Sequence, residues 1–276
     1  MCKKVLLFFI TFVGIFNISI GQNRLIEKAN EKYDEYSFSP AIDIYKKVRE
    51  KGFSSPDLLK KLGNSYYFNA NYNEASQVYQ ELIEKYDSVV TPDYVFRYAQ
   101  SLKTLGQYDK ADKMMTKFFA STNKNADGTS FNEDYLTKID KNSGRYKIDT
   151  FKYNSKYSDF APTFYKEGLI FSSDRDTGNL ARYRHTWNGK DFLDIYTINK
   201  TEEDGTVIKI PGDINTRLHE STSIVTKDGT TMYFTRNNFI DGKKYKDEKG
   251  TIRLKIYKAT LINLSLIHIS EPTRPY

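Results

Sequence analysis

Two periods of apolar residues divide this chain. Between Leu25 and Phe119 apolar and small residues recur three and four positions apart, as in Leu59, Leu62, Gly63 and Tyr66, and again in Tyr98, Ala99 and Leu102. That spacing places them on one stripe of a helix and predicts helices with a buried face. From about Tyr146 the period shortens. Ala161–Tyr165, Leu169–Ser173, Phe192–Ile198 and Val207–Ile210 read as short strands separated by turn formers. Lys166-Glu167-Gly168 and Asp228-Gly229 predict tight reversals, and Asn188-Gly189 is a two-residue hairpin signal inside an insertion. The pattern predicts an α+β, multidomain chain: helical hairpins first, antiparallel strands after.

Each part repeats itself. Leu59, Leu62, Gly63, Tyr66, Tyr72, Ala75 and Tyr79 make one helical unit, and Tyr98, Ala99, Leu102, Gly106, Tyr108, Ala111 and Met115 make the next. Ala29, Phe38, Ala41 and Tyr45 mark a weaker unit ahead of them. The small residues let paired helices approach closely, and Asn71-Tyr72-Asn73 and Gly106-Gln107-Tyr108 are expected to form the turns between them. Three units are about the minimum for a stable stack. In the strand-rich part, Gly168-Leu169-Ile170-Phe171-Ser172-Ser173-Asp174-Arg175 with Asp194-Ile195-Tyr196-Thr197 is answered by Asp228-Gly229-Thr230-Thr231-Met232-Tyr233-Phe234-Thr235-Arg236 with Lys255-Ile256-Tyr257-Lys258. Four antiparallel strands per copy predict two propeller-type blades, too few for a closed ring, so a raw sheet edge is expected.

The two ends read differently from the middle. Lys3 and Lys4, the apolar run Val5–Phe16, and small residues Ser19 and Gly21 predict an export signal cleaved before Gln22, with no membrane span left afterwards. Leu264-Ser265-Leu266-Ile267-His268-Ile269-Ser270-Glu271-Pro272-Thr273-Arg274 resembles the translation of a sequencing-library adapter. On that reading it is a foreign tail and the natural protein is longer. The expected order is thus signal (1–21), helical repeats (22–121), linker (122–145), partial propeller (146–263) and tail (264–276).

Composition narrows the function. With 22 Tyr and 18 Phe, aromatic rings supply most of the large apolar surface. The formal net charge of +7 includes Lys3 and Lys4 and is spread along the chain, so it does not point to nucleic acid. Cys2 leaves with the signal, so no disulfide is expected. In the linker, Asn125, Asp127 and Gly128 match parts of a calcium loop, but Asn123 and Asp134 replace its two most important ligands, and a solvated turn accounts for them. Asp174-Arg175-Asp176 is answered by Arg236-Asn237-Asn238, which keeps a turn and loses the carboxylates, so turn capping is the better reading. His185 and His219 stand without a nucleophile or metal-ligand spacing, and Trp187 is expected to cover a hairpin. No catalytic residue, cofactor or metal is expected.

The helical units resemble tetratricopeptide repeats over roughly Leu25 to Phe119. The resemblance implies a concave surface for an extended peptide or a partner's helix. Lys60, Asn64 and Tyr67 share a helix face by spacing, as do Gln100 and Lys103 one unit on, and these are the candidate partner-binding residues. A solvated helix face is the competing reading. The strand-rich part resembles WD-repeat-like blades of the TolB propeller, in Gly168–Arg175 and Asp194-Ile195-Tyr196. The whole order is similar to OmpA-family envelope proteins of Bacteroidota. That resemblance implies a periplasmic, outer-membrane-associated scaffold held to peptidoglycan by a C-terminal domain missing here, and service to gliding or type IX secretion. A propeller hydrolase, or a sugar- or peptide-binding sensor, remains the alternative.

Overall fold

The computed structural model describes residues 23–122, 135–176, 184–198, 205–248, 250–262 and 265–270. The export signal, the calcium-loop-like stretch and residues 271–276 lie outside them. The chain divides into two units: Met1–Tyr146 with Thr186–Gly189, and Lys147–His185 with Lys190–Tyr276.

In the first unit, six helices pair into three hairpins: α1 (23–34) with α2 (Phe38–Glu50), α3 (Pro56–Phe68) with α4 (Tyr72–Tyr86), and α5 (Pro92–Thr104) with α6 (Tyr108–Thr122). A short helix α7 (Tyr135–Asn142) lies in the stretch expected to be linker. Proline opens α3 and α5, where its missing N–H costs nothing. The hairpins share one turn geometry. Tyr36, Ala70 and Gly106 each take positive φ, at 57°, 58° and 72°. The next residue then returns its N–H into the helix just ended: Ser37 to the Lys32 carbonyl, Asn71 to Tyr66 and Gln107 to Leu102, at 2.8–2.9 Å. This is a left-handed cap of Schellman type. The carbonyls of Ser37, Asn71 and Gln107 accept from the N–H groups of Ala41, Ala75 and Ala111, all three fully buried where paired helices touch. The expected turns therefore shift. Tyr72, Asn73 and Tyr108 belong to the helices that follow, because the left-handed residue sits one or two positions earlier.

Close approach also explains Gly63. A Cβ there would lie 2.6 Å from the ring of buried Tyr79, so only glycine lets α3 and α4 meet. Trp187 stands over Phe38 with ring centroids 4.8 Å apart, stacks on Tyr36 at 6.2 Å and donates its indole N–H to the Phe68 carbonyl at 3.3 Å. The Asn188-Gly189 signal makes a turn closed by His185 N–H to Lys190 O, without flanking strands among the described residues. The indole is engaged with aromatic rings rather than covering a hairpin.

The second unit holds two four-stranded antiparallel sheets, β1-β2-β3-β4 and β10-β9-β6-β5 in spatial order. The first contains β1 (Asp159–Tyr165), β2 (Gly168–Ser173), β3 (Asp194–Ile198) and β4 (Val207–Lys209). The second contains β5 (Glu220–Val225), β6 (Thr231–Asn237), β9 (Leu254–Ile262) and β10 (Ser265–Ser270), with a hairpin of β7 (Phe239–Ile240) and β8 (Lys243–Lys244) inserted. β3 begins later than the expected Phe192, because the Leu193 N–H goes to His219 Nδ1 and Phe192 packs on that ring, 4.7 Å away. β10 falls in the segment read as a foreign tail. Pairing shows that an alternating apolar segment can close an edge and says nothing of its origin.

The two sheets are copies in detail. Phe171 pairs with Tyr196, and Phe234 with Tyr257, each couple stacked at 29°, with centroids 6.0 and 5.8 Å apart. A bulge interrupts β1 at Ala161 (φ 51°) and β5 at Thr222 (φ 40°). The loop before each sheet is clasped alike. Asp159 accepts from the Ser155 N–H and hydroxyl, and Glu220 from those of Thr216. Ser158 N–H then bonds Asp174 Oδ1, and His219 N–H bonds Asn237 Oδ1. Asp174 and Asn237 thus tie the end of a strand to the loop ahead of its sheet. Between the sheets lies a core of Tyr165, Ile170, Ile195, Met232, Phe234 and Tyr257.

Candidate protein-interaction face

The first helices of the three hairpins, α1, α3 and α5, carry a ladder of side-chain hydrogen bonds. Within hairpins, Tyr45 donates to Asn30 Oδ1 at 2.7 Å and Tyr79 to Asn64 Oδ1 at 2.8 Å. Between hairpins, Asn64 Nδ2 donates to the Tyr33 hydroxyl at 2.8 Å and Tyr67 donates to Gln100 Oε1 at 2.6 Å. The third hairpin breaks the series. Met115 stands where Tyr45 and Tyr79 stand, so Gln100 has no partner of that kind on α6 and turns to Tyr67.

The ladder takes in three of the five predicted residues. Asn64 is only 5% exposed, and its oxygen accepts from both Tyr79 and Arg97 Nη1, the latter at 2.8 Å. Its lone pairs are therefore committed within the protein. Tyr67 and Gln100 are half-buried and bonded to each other, and burial raises the Tyr67 phenol above its ordinary range. Burial likewise pushes the Tyr79 phenol up, so both hydroxyls stay protonated and able to donate. Lys60 stands over the Tyr94 ring, 5.5 Å from its centroid. The fifth, Lys103, is turned toward α6 and pairs with Asp112 at 3.7 Å.

Arg97 is the residue that spacing did not single out. Its guanidinium lies over Phe68 at 5.4 Å and Tyr94 at 5.7 Å, while Nη1 holds Asn64. Lys60 and Arg97 thus converge on one ring, and the surface has positive charge laid over aromatic faces. A sequence signal existed. Arg97 occupies in α5 the place of Lys61 in α3, and Lys61 sits over Tyr33 at 5.7 Å in the same manner. Among the described residues no group of three or more His, Cys, Asp and Glu could hold a metal, and no helix is long and apolar enough to cross a membrane. His185 and His219 meet edge to face at 4.6 Å, and burial, with His185 adding to it, brings His219 down to about 4. His219 accepts at Nδ1 from the Leu193 N–H at 3.1 Å.

No protein-family model matches the chain, and no curated protein does. Solved structures similar to it include the following three. The C-terminal part of a TPR repeat-containing protein from Cytophaga hutchinsonii is 18% identical over 35% of this chain and 38% of its own, with a TM-score of 0.33. PcrH in complex with the chaperone binding region of PopB is 18% identical over 36% and 79%, with a TM-score of 0.32. The Sgt2 TPR domain from Aspergillus fumigatus is 15% identical over 49% and 91%, with a TM-score of 0.34.

Proposed function

We propose that this chain is a non-enzymatic protein-interaction scaffold whose helical unit binds an extended peptide bearing carboxylates. The observation that carries the reading is the convergence of Lys60 and Arg97 on Tyr94 along a face braced by the Asn64 ladder. Two cations held over aromatic rings offer a carboxylate a charged contact at a site whose geometry is already fixed, so little ordering cost remains. Asn64 serves by positioning Arg97, while Lys60, Tyr67 and Gln100 flank the peptide's path. The wider setting is part of the same proposal. Export is read from the Lys3–Gly21 features and propeller-type blades from the repeated strand motif, while a periplasmic, outer-membrane setting and attachment to peptidoglycan through an OmpA-like domain rest on the resemblance to OmpA-family envelope proteins. Service to gliding or type IX secretion rests on that resemblance alone.

A (Glu-Ala)3 peptide carrying fluorescein on its N-terminal amine, with a free C-terminus, tests the binding face by anisotropy. Lys60→Glu should weaken binding at least about tenfold, as loss of one charged contact plus repulsion predicts. The wild-type affinity should also fall as salt is raised. Equal affinity for the variant and the wild type would overturn the assignment of this face.

A further inference from the structure

The interface between the two sheets is used once inside the molecule, and the opposite faces of both sheets repeat its pattern. In the buried interface, the second sheet turns its stacked Phe234–Tyr257 pair toward Ile170 and Ile195 of the first. Strand alternation sends Phe171 and Tyr196 of the first sheet to its other face, where they form the same stacked pair. Each pair is capped by a guanidinium: Arg236 lies 4.1 Å from the Tyr257 centroid, and Arg175 lies 4.9 Å from that of Phe171. The remaining face of the second sheet repeats the first sheet's Ile170–Ile195 face, with Tyr233 and Ile256 at those register positions. There the apolar side chains are open: Ile224 and Leu254 are 62% exposed and Ile256 is 57%.

A polar clasp repeats with the apolar pattern. Asn215, just ahead of the Thr216–Glu220 clasp, grips the first sheet's main chain by accepting from Ile195 N–H at 2.7 Å and donating to Ile195 O at 3.0 Å. Asn154 holds the same place ahead of Ser155 and Asp159. Its side chain is exposed and lines an open pocket of about 210 Å³ with Phe151, Phe160, Leu169 and Phe171. Ile256 is the counterpart of Ile195. The β9–β10 ladder runs from Lys258 to Ile262, so Ile256 lies outside it.

We propose that the outer face of the second sheet docks a second copy of this chain, whose first sheet seats on it through Phe160, Phe164 and Leu169 while its Asn154 amide grips the Ile256 main chain. The faces differ, so the contact is head to tail and propagates beyond a dimer. The continuity of the repeat argues for this occupant, because the counterparts of both faces already pack on one another between the two sheets of one molecule.

Sedimentation velocity of the full chain over a range of concentrations tests it. Phe164 is 80% exposed, so Phe164→Lys and Ile256→Lys change surface positions, and circular dichroism verifies that each variant remains folded. The wild type should form a concentration-dependent series extending past the dimer, and each variant alone should be monomeric. An equimolar mixture should stop at a dimer, since it retains one competent copy of each face. Asn154→Ala should weaken association about tenfold, the worth of one or two buried hydrogen bonds. A wild type that stays monomeric at its highest soluble concentration overturns the proposal. So do folded single variants that still assemble, or a mixture that yields no dimer.

Discussion

At the scale of single residues, the helical face is governed by which hydrogen bonds can be replaced by water. Tyr79 is fully buried and donates to Asn64, whereas Tyr67 is half-buried and donates to Gln100. Removing the acceptor strands a buried hydroxyl in the first case and only inconveniences a wet one in the second. Asn64→Ala should therefore cost about 2–3 kcal/mol, the penalty for a buried unsatisfied group with a lost charged bond, and Gln100→Ala about 1 kcal/mol or less. Urea unfolding monitored in the helical unit reads the difference, and equal midpoints for the two variants would contradict the ladder. The sequence made the face visible but not what each of its side chains bonds. Spacing puts Lys60, Asn64 and Tyr67 together, but cannot tell a residue that offers its amide to a partner from one whose amide is spent on Tyr33, Tyr79 and Arg97. The readable clue was the pairing of Asn30 with Tyr45 and Asn64 with Tyr79 at a constant separation, which marks a structural bond that each hairpin repeats.

At the scale of elements, the turns joining paired helices show how far a repeat can drift from its ideal residue. Gly106 occupies its left-handed cap without strain, but Ala70 at φ 58° and Tyr36 at φ 57° carry a Cβ into the same conformation. Left-handed backbone costs an L-residue roughly 1–2 kcal/mol, which glycine avoids, though glycine gives back part of that gain in chain entropy. Ala70→Gly should thus raise the stability of the helical unit by about 1 kcal/mol, seen as a higher thermal midpoint by circular dichroism; a lower midpoint would mean that the cap is not strained. Elements with long periodic faces, such as α3 and α4, were legible because burial of a stripe dictates their pattern. Their ends were less so, because Ala70 carries no signature of the conformation it adopts. The same holds among strands. β2 and β6 announce themselves by repeating a motif, while β7 and β8, two residues each, are too short to show a period. Their hairpin is written instead in Asp241-Gly242, both at positive φ. The sheet-to-sheet copy of hydrogen bonds, from Ser155 and Thr216 to Asp174 and Asn237, is recoverable from sequence only after the two sheets are superposed.

At the scale of the whole molecule, two buried groups in the strand unit set opposing responses to pH. Glu220 is fully buried, and burial, opposed by the bonds from Thr216, raises it from 4.5 to about 8. The folded protein therefore holds that proton more tightly than the unfolded chain. Its contribution is complete below pH 4.5 and is lost as pH rises to 8. His219 runs the other way. Lowered from 6.5 to about 4, it favours folding above pH 6.5, and that advantage is lost as pH falls toward 4, when a proton on the ring must compete with the Leu193 N–H for Nδ1. Asp159 adds an acid limb lower still. Burial alone would raise it, but the bonds from Arg175, Ser173 and Ser155 outweigh that and bring it to about 2. The slopes of Glu220 and His219 oppose one another between pH 4.5 and 6.5, and above 6.5 Glu220 acts alone. One proton taken up on folding corresponds to about 1.4 kcal/mol per pH unit, so stability should fall by about 2 kcal/mol from pH 6.5 to 8. Glu220→Gln keeps an oxygen and an amide for the Thr216 clasp but cannot ionise. Chemical unfolding at pH 6.5, 7.25 and 8 should show the wild type losing stability in that window and Glu220→Gln holding level. Parallel curves would mean that Glu220 is ionised in the folded state, and the alkaline limb would then have to arise from another group.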